Sequence, residues 1–334
     1  MLKFPRDIDQ ISVAKTTSLE DRLAEIATLS KATDVPETRA QLRKHLASKT
    51  SLIAAKTAEI VAKIDDHDFT QDLIAAFHRF MKDAAKIDKG CVAKIAIVKA
   101  LLAAECDDEE LYRTGIRHVQ HEPTWGGRSD TAAPLRALCG LGLVQAGSAD
   151  AMNELAALLA DKEADARIGA ARALSHCGPT AAPLLRFKVL TGDGEPAVLA
   201  ECLTGLMTSM PSASFEFVSA FVDPRHSELY EHAALALAES RLPGVYELLK
   251  EKWTSTFDRE FKQTLLLPMA LTREEAARDF LISVLESGEI KLATAAIAAL
   301  SIYRDDDKLR KRAEEAISGP KKDELLAALR RAFE

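Results

Sequence analysis

The chain predicts an all-α fold of helix pairs stacked in a line, and three observations lead there. First, a small residue followed by Leu recurs near helix ends: Ala100-Leu101, Gly142-Leu143, Ala173-Leu174, Gly205-Leu206, Ala236-Leu237 and Ala299-Leu300. From Gly142 the steps are 31, 32, 31 and then 63, the last being two steps with Pro268-Met269 weakly in between. A fixed period in the thirties marks stacked supersecondary units, each covering the apolar face of its neighbour. Second, the copies sit in segments of helical apolar spacing, clearest in ADARIGAARAL over 164–174. Third, Gly and Pro fall between the periodic segments, at Gly147, Gly178-Pro179, Pro211, Pro224, Pro243-Gly244 and Gly288. No strand is expected anywhere in the body.

Taken in order, residues 1–17 lack periodicity and read as an arm. Ser18 reads as an N-cap, followed at helical spacing by Leu19, Leu23 and Ile26 in a helix to about residue 31. Val35-Pro36-Glu37 places Pro at a first helical position, starting a helix over 36–47, and 51–64 completes the first pair. The second pair is 70–84 with 89–104. The acidic run 105–110 reads as a solvated helix start, where carboxylates suit the positive end of the helix dipole. The third pair is 109–119 with 129–145. The later pairs are 149–160 with 163–176, 180–190 with 195–209, 212–221 with 226–240, 243–254 with 257–271, and 273–287 with 289–302. A last hairpin, 306–317 and 320–333, is split by Gly319-Pro320. Its even mixture of acids and bases suits an end unit with one side uncovered. The expected organisation is an arm and capping helix over 1–34, about eight helix pairs over 35–302, and a capping hairpin over 303–334.

The early units are longer, 42 residues from Leu101 to Leu143 against 31 later, so insertions collect in the first half. Apolar residues make up 47% of the 334, enough for a continuous interior, while aromatics are only 5%, so packing rests on Leu, Ala, Ile and Val. The net charge of −7 opposes broad attraction to phosphate backbones or anionic lipid. Cys91, Cys106, Cys139, Cys177 and Cys202 form no CxxC pair and lie mostly in apolar helical patterns. They are expected to be buried thiols of a reducing compartment. The first ten residues, MLKFPRDIDQ, carry no apolar core of signal-peptide length. The expectation is a cytoplasmic monomer with no membrane segment.

The repeat resembles HEAT repeats, in the short form also seen in phycobilisome-lyase-type proteins. Asp165, Arg167, Ala170, Ala171, Ala173 and Leu174, followed by Gly178, carry the resemblance, with a weaker copy at Ala93-Lys94-Ile95 and Ala100-Leu101. It implies a right-handed α-solenoid, an α-α superhelix of antiparallel pairs, whose second helices line a concave face. Members of the family are mostly binding scaffolds, and some relatives are chromophore lyases or DNA-repair glycosylases. None of their active residues has a matching motif here, and fold alone does not assign function.

The connection His121-Glu122-Pro123-Thr124-Trp125-Gly126-Gly127-Arg128-Ser129-Asp130 is the strongest anomaly. As a contact loop it offers His121, Trp125, Arg128 and Asp130, because Trp and Arg anchor interfaces and a Gly pair lets backbone approach a ligand. The structural alternative packs Trp125 into an inter-helix gap, pairs Arg128 with Glu122 or Asp130, and makes Ser129 a helix cap. His118, His121 and Glu122 have too few further donors nearby to argue for metal, and no cofactor is expected. His176-Cys177 does not make a nucleophile pair, since adjacent helical residues point apart. Lys94, Lys99, Arg136, Arg167 and Arg172 lie on successive second helices and suggest a basic stripe, with Arg136 and Arg172 as candidate binding residues and Arg167 in a structural ion pair. Phe215, Phe217, Phe221 and Tyr230 read as core. The function these features favour is a protein-binding scaffold of unknown partner. The alternatives are a lyase-like or small-ligand protein with a concave-face site, or a nucleic-acid binder through the stripe, which the negative charge argues against.

Overall fold

A computed structural model describes residues 18–64, 67–286, 289–318 and 321–334. The arm at 1–17 and the punctuating Gly288 and Gly319-Pro320 lie outside them. The described residues are all-α apart from one short hairpin. They divide into two compact units: one runs to Leu111 and adds Val119–Leu135, and the other joins Tyr112–His118 to Arg136–Glu334.

The first unit begins with α1 (Leu19–Leu29), α2 (Pro36–Leu46) and α3 (Ser51–Val61). Ser18 caps α1 reciprocally: its hydroxyl accepts from the Asp21 amide and the Asp21 carboxylate accepts from the Ser18 amide, both at 3.1 Å. Then come α4 (Thr70–Met81), the single turn α5 (Ala84–Ile87) and α6 (Val92–Ala103). The segment expected to run to residue 84 stops earlier because Asp83 takes a left-handed φ of 48°. Leu73, Phe77 and Phe80 on one face of α4 are buried, as are Ile97 and Leu101 on α6. Helix α3 packs on α6 and on α1, and α4 on α6.

The connection 121–130 is a correction to the expected absence of strands. It folds into an antiparallel hairpin, β1 (His121–Thr124) with β2 (Gly127–Asp130), pairing His121 with Asp130 and Thr124 with Gly127. Gly126 sits in the turn at φ 90°, a value the second central residue of a type II turn needs. The helices on either side are correspondingly shorter than expected, α7 (Glu109–Ile116) and α8 (Ala133–Gln145). Asp108, from the acidic run, caps α7 by accepting from the Leu111 amide at 3.0 Å.

The second unit carries the regular repeat. Its helices are α9 (Ala151–Leu158), α10 (Ala164–Ser175), α11 (Ala182–Thr191), α12 (Pro196–Ser209), α13 (Pro211–Ser219) and α14 (Tyr230–Ser240). They continue as α15 (Val245–Ser255), α16 (Arg259–Leu271), α17 (Glu275–Glu286), α18 (Ile290–Leu300), α19 (Asp307–Ala316) and α20 (Lys322–Ala332). The second helices form a row in which α10 packs on α12, α12 on α14, α14 on α16, α16 on α18 and α18 on α20. This is α-solenoid stacking, and Ala173-Leu174, Gly205-Leu206, Ala236-Leu237 and Ala299-Leu300 are buried in it. Each buried Leu contributes about 2 kcal/mol of hydrophobic stabilisation. The small partner lets the helices close up: a Cβ on Gly205 would stand 3.1 Å from Leu185 Cδ1, already tight. Cys91, Cys106, Cys139 and Cys202 are buried and Cys177 half-buried, all as free thiols.

Candidate functional site

The hairpin is the insertion that breaks the repeat, and its root and tip differ. At the root lies a buried polar network within the first unit. Asp88 accepts from the amides of Ala93 at 2.8 Å and Lys94 at 3.1 Å, so it caps the start of α6. Lys94 Nζ, fully buried, donates to Asp88 Oδ2 at 2.9 Å and to Gln120 Oε1 at 3.1 Å. Gln120 Nε2 returns to the Asp88 carbonyl at 2.9 Å and to Glu122 Oε1 at 2.6 Å. Glu122 Oε1 also accepts from the Gly90 amide at 2.7 Å and the Thr131 hydroxyl at 2.8 Å. The Gln120 hydrogen bond, with those from Gly90 and Thr131, holds the Glu122 carboxyl below its usual range against the opposing effect of burial. These bonds join the hairpin to the residues around Asp88 and Lys94, so the network is a latch that ties the hairpin to the start of α6.

Asp130 finishes the latch. Its carboxylate accepts from the Gln120 amide at 2.9 Å and the Ala132 amide at 3.0 Å. Ser129, four residues ahead of the start of α8, is paired in β2 and does not cap that helix, and Asp130 holds the turn that leads into it. Arg128 donates to the His121 carbonyl at 3.2 Å rather than pairing with a carboxylate of the loop. His121 is exposed on β1.

The tip is bare. Trp125 is 105% exposed, so it does not pack into an inter-helix gap, and nothing lies within 4 Å of a Cβ placed on Gly126 or Gly127. The indole at this two-residue turn is freely solvated. The strand missed by sequence reasoning has no apolar alternation, and Pro123 argues against a strand. Its anchor, Gly90, lies 32 residues away.

The candidate arginines of the second unit are engaged. Arg136, 3% exposed, grips Asp161 with two hydrogen bonds of 2.9 Å and donates to the His118 carbonyl at 3.0 Å. Arg167 grips Asp193 the same way at 2.7 Å, and Lys188 joins at 2.7 Å. Burial opposes charge on Asp193, but its hydrogen bonds from Arg167, Lys188 and the Glu195 amide hold the carboxyl far below the usual range. The pairing expected for Arg167 is thus present with Asp193 as partner, and not with the adjacent Asp165. Arg172 is held by Glu201 at 2.8 and 3.1 Å. Lys94 is buried in the latch, and Lys99 is exposed.

These pairs have a period that the sequence carried. Asp130, Asp161, Asp193 and Asp223 stand 31, 32 and 30 residues apart. Each accepts an amide two residues on, at 2.8–3.0 Å. In the second unit Arg136 and Arg167 each reach from one repeat to the Asp of the next. The spacing of these aspartates was the available signal, and it identifies rungs between repeats rather than a groove of free charge.

One surface had no counterpart in the sequence reading. Helix α11 buries Leu185 and Val189 but leaves Phe187 at 65% and Leu190 at 70% exposed. They border a cleft of about 590 Å³ with Pro183, Met210 and Ala213. Arg186 lies over the Phe217 ring at 4.2 Å, and Phe217 meets Phe221 edge-on at 5.4 Å. These two rings, expected as core, are half-buried at its margin. The signal was a helix with apolar residues on both faces, which demands a cover on both. His176 and Cys177 follow α10, where the Cys177 thiol contacts the Ala173 carbonyl at 3.6 Å and burial raises its pKa.

No group of three or more potential metal-ligating side chains stands together among the described residues. No described helix is long and apolar enough to cross a membrane. No protein-family model matches the chain, and no curated protein matches it. Among solved structures the chain is similar to the complex of CpcE and CpcF of phycocyanin lyase from Nostoc sp. PCC7120. The identity is 19%, over 82% of this chain and 94% of that chain, with a TM-score of 0.33. It is also similar to an engineered protein, at 15% identity over 96% of each chain and a TM-score of 0.32. At such TM-scores neither neighbour assigns a role to any residue here.

Proposed function

We propose that the chain is a protein-binding scaffold of HEAT-like repeats, with 35–302 as the array and 1–34 and 303–334 as its caps. The observation that carries the reading is the uncovered apolar face of α11. Phe187 and Leu190, one turn apart, stand in solvent beside an apolar cleft. A large aromatic and a Leu exposed together on a folded surface mark an interaction site. Trp125 at the hairpin tip is a second anchor of the same kind, with His121 and Arg128 exposed beside it. The caps draw support at the C-terminal end from α19 and α20. These pack Leu309, Ala313, Leu325 and Leu329 into the α18 core and keep their charged residues outward.

The nucleic-acid alternative would draw on Arg136 and Arg172 and the lyase-like one on Arg128 or Arg136, and the guanidinium groups of Arg136 and Arg172 are held by Asp161 and Glu201. The test is a photo-reactive phenylalanine analogue placed at 187, at 125 and, as an exposed control, at 162. Irradiation in cells is expected to give discrete protein adducts at 187 and 125 and none at 162. Identical smears or no adduct at all three positions would overturn the proposal.

A further inference from the structure

Within the first unit, three helices turn residues of the same spacing toward two neighbouring clefts. On α1 the stripe is Leu23, Ile26, Ala27 and Ser30, and on α3 it begins Lys56, Glu59, Ile60 and ends just past the helix at Lys63. On α6 it is Val92, Ile95, Ala96 and Lys99. Each reads i, i+3, i+4, i+7, one continuous face of a helix. Between α1 and α3 lies a cleft of about 350 Å³. Between α3 and α6 lies one of about 560 Å³. Glu59 and Lys63 line both, so the edge of α3 is a ridge with an apolar cleft on each side. Val92 is 43% exposed on the α6 side.

The net charge on this face is positive. Lys56 and Glu59 pair at 2.8 Å and cancel, and neither Lys63 nor Lys99 makes an ion pair with any described residue. Two cations therefore flank an apolar floor on a chain whose net charge is −7. We infer that this face is a docking site for an amphipathic helix of a partner protein, with acidic residues beside its apolar stripe, lying across the α3 ridge. The inference rests on the scaffold reading above and names the partner's chemistry at a separate surface.

The dimensions agree. Packed helix axes stand about 8–10 Å apart, so the two clefts are separated by about one such interval. Along a helix, residues i and i+7 are about 10.5 Å apart on one face. One apolar anchor at i and another at i+7 would thus reach both clefts, with glutamates or aspartates beside them meeting Lys63 and Lys99. Residues 1–17 fit this description poorly, because Lys3, Arg6 and Lys15 outnumber Asp7 and Asp9.

The test uses the full chain and a displayed library of 16-residue peptides. Each has Leu at i, i+3, i+4 and i+7, with Glu, Gln or Lys drawn at random elsewhere. The wild type is expected to enrich Glu over Lys beside the Leu stripe. A Lys63→Glu/Lys99→Glu variant, whose exposed changes leave helicity and Tm unaltered, is expected to bind the selected peptides about tenfold more weakly at low salt. An empty selection, no preference for Glu, or equal binding by the variant overturns the inference. So does a concentration-dependent dimer that the variant loses, which would make a second copy the occupant. Phe187 and Trp125 lie outside this face, so their crosslinks decide the scaffold reading independently.

Discussion

Gly169 lies in mid-helix on α10, where replacement by Ala removes backbone entropy from the unfolded chain and favours the helix by about 1 kcal/mol. Propensity alone therefore predicts that Gly169→Ala stabilises the protein. Packing predicts the reverse. A Cβ at 169 would stand 2.7 Å from the backbone α-carbon of Ala137 on α8, and closer still to its Cβ. The obstruction is backbone and cannot rotate away, so the helices must separate. Overpacking of this kind costs about 1–3 kcal/mol, and rigid neighbours belong at or above the top of that range. The net expectation is a loss of about 2 kcal/mol, which lowers the Tm of a domain of this size by roughly 4–8 °C. Thermal unfolding followed by circular dichroism at 222 nm measures it. The double variant Gly169→Ala/Ala137→Gly should recover only part of the loss, because the main chain of α8 still obstructs the added methyl. A single variant that melts at or above the wild type would refute the close approach of α8 and α10.

Three further outcomes follow from the ion pairs and the hairpin. The Asp193 carboxyl is held below its unfolded range, so its stabilisation is full above that range and is lost as pH falls through the folded value. Asp193→Asn should cost about 3 kcal/mol at pH 7 by leaving Arg167 and Lys188 without their carboxylate. It should also flatten the acid limb of a stability-against-pH curve, and an unchanged limb would refute the assignment. Lys94→Met removes the cation from fully buried Asp88 and should cost about 3–5 kcal/mol, read as a lower urea midpoint. Exposed Lys99→Met should stay within about 0.5 kcal/mol. Trp125→Ala should leave stability within about 0.5 kcal/mol of wild type while removing the more readily acrylamide-quenched part of the tryptophan emission, since Trp253 is half-buried against Phe280.

The helices were legible because their cause is local. Ala173-Leu174 and its copies show which face is buried and how often the unit repeats, and Ser18, Pro36, Pro196 and Pro211 mark starts that the structure places within a residue. The hairpin was illegible because its cause is remote. HEPT and GRSD have no apolar alternation, and what holds them is Glu122 reaching Gly90 and Gln120 reaching Asp88. Arg136 looked like a free groove cation for a similar reason: its carboxylate, Asp161, is 25 residues on. The aspartate period would have supplied that partner. Phe187 and Leu190 were visible as residues, but which face α11 turns outward is decided by α12.

The division of labour along the hairpin has a consequence for change. Substitutions at Gln120, Glu122 or Asp130 act on folding. Substitutions at Trp125 and Gly127 leave it alone, because the indole is solvated and nothing lies near a Cβ at Gly127, while Gly126 is held to glycine by its φ of 90°. The tip can be lengthened, rewritten or exchanged for an epitope while the helices beneath it keep their registry, which makes it the natural place to graft a new recognition sequence.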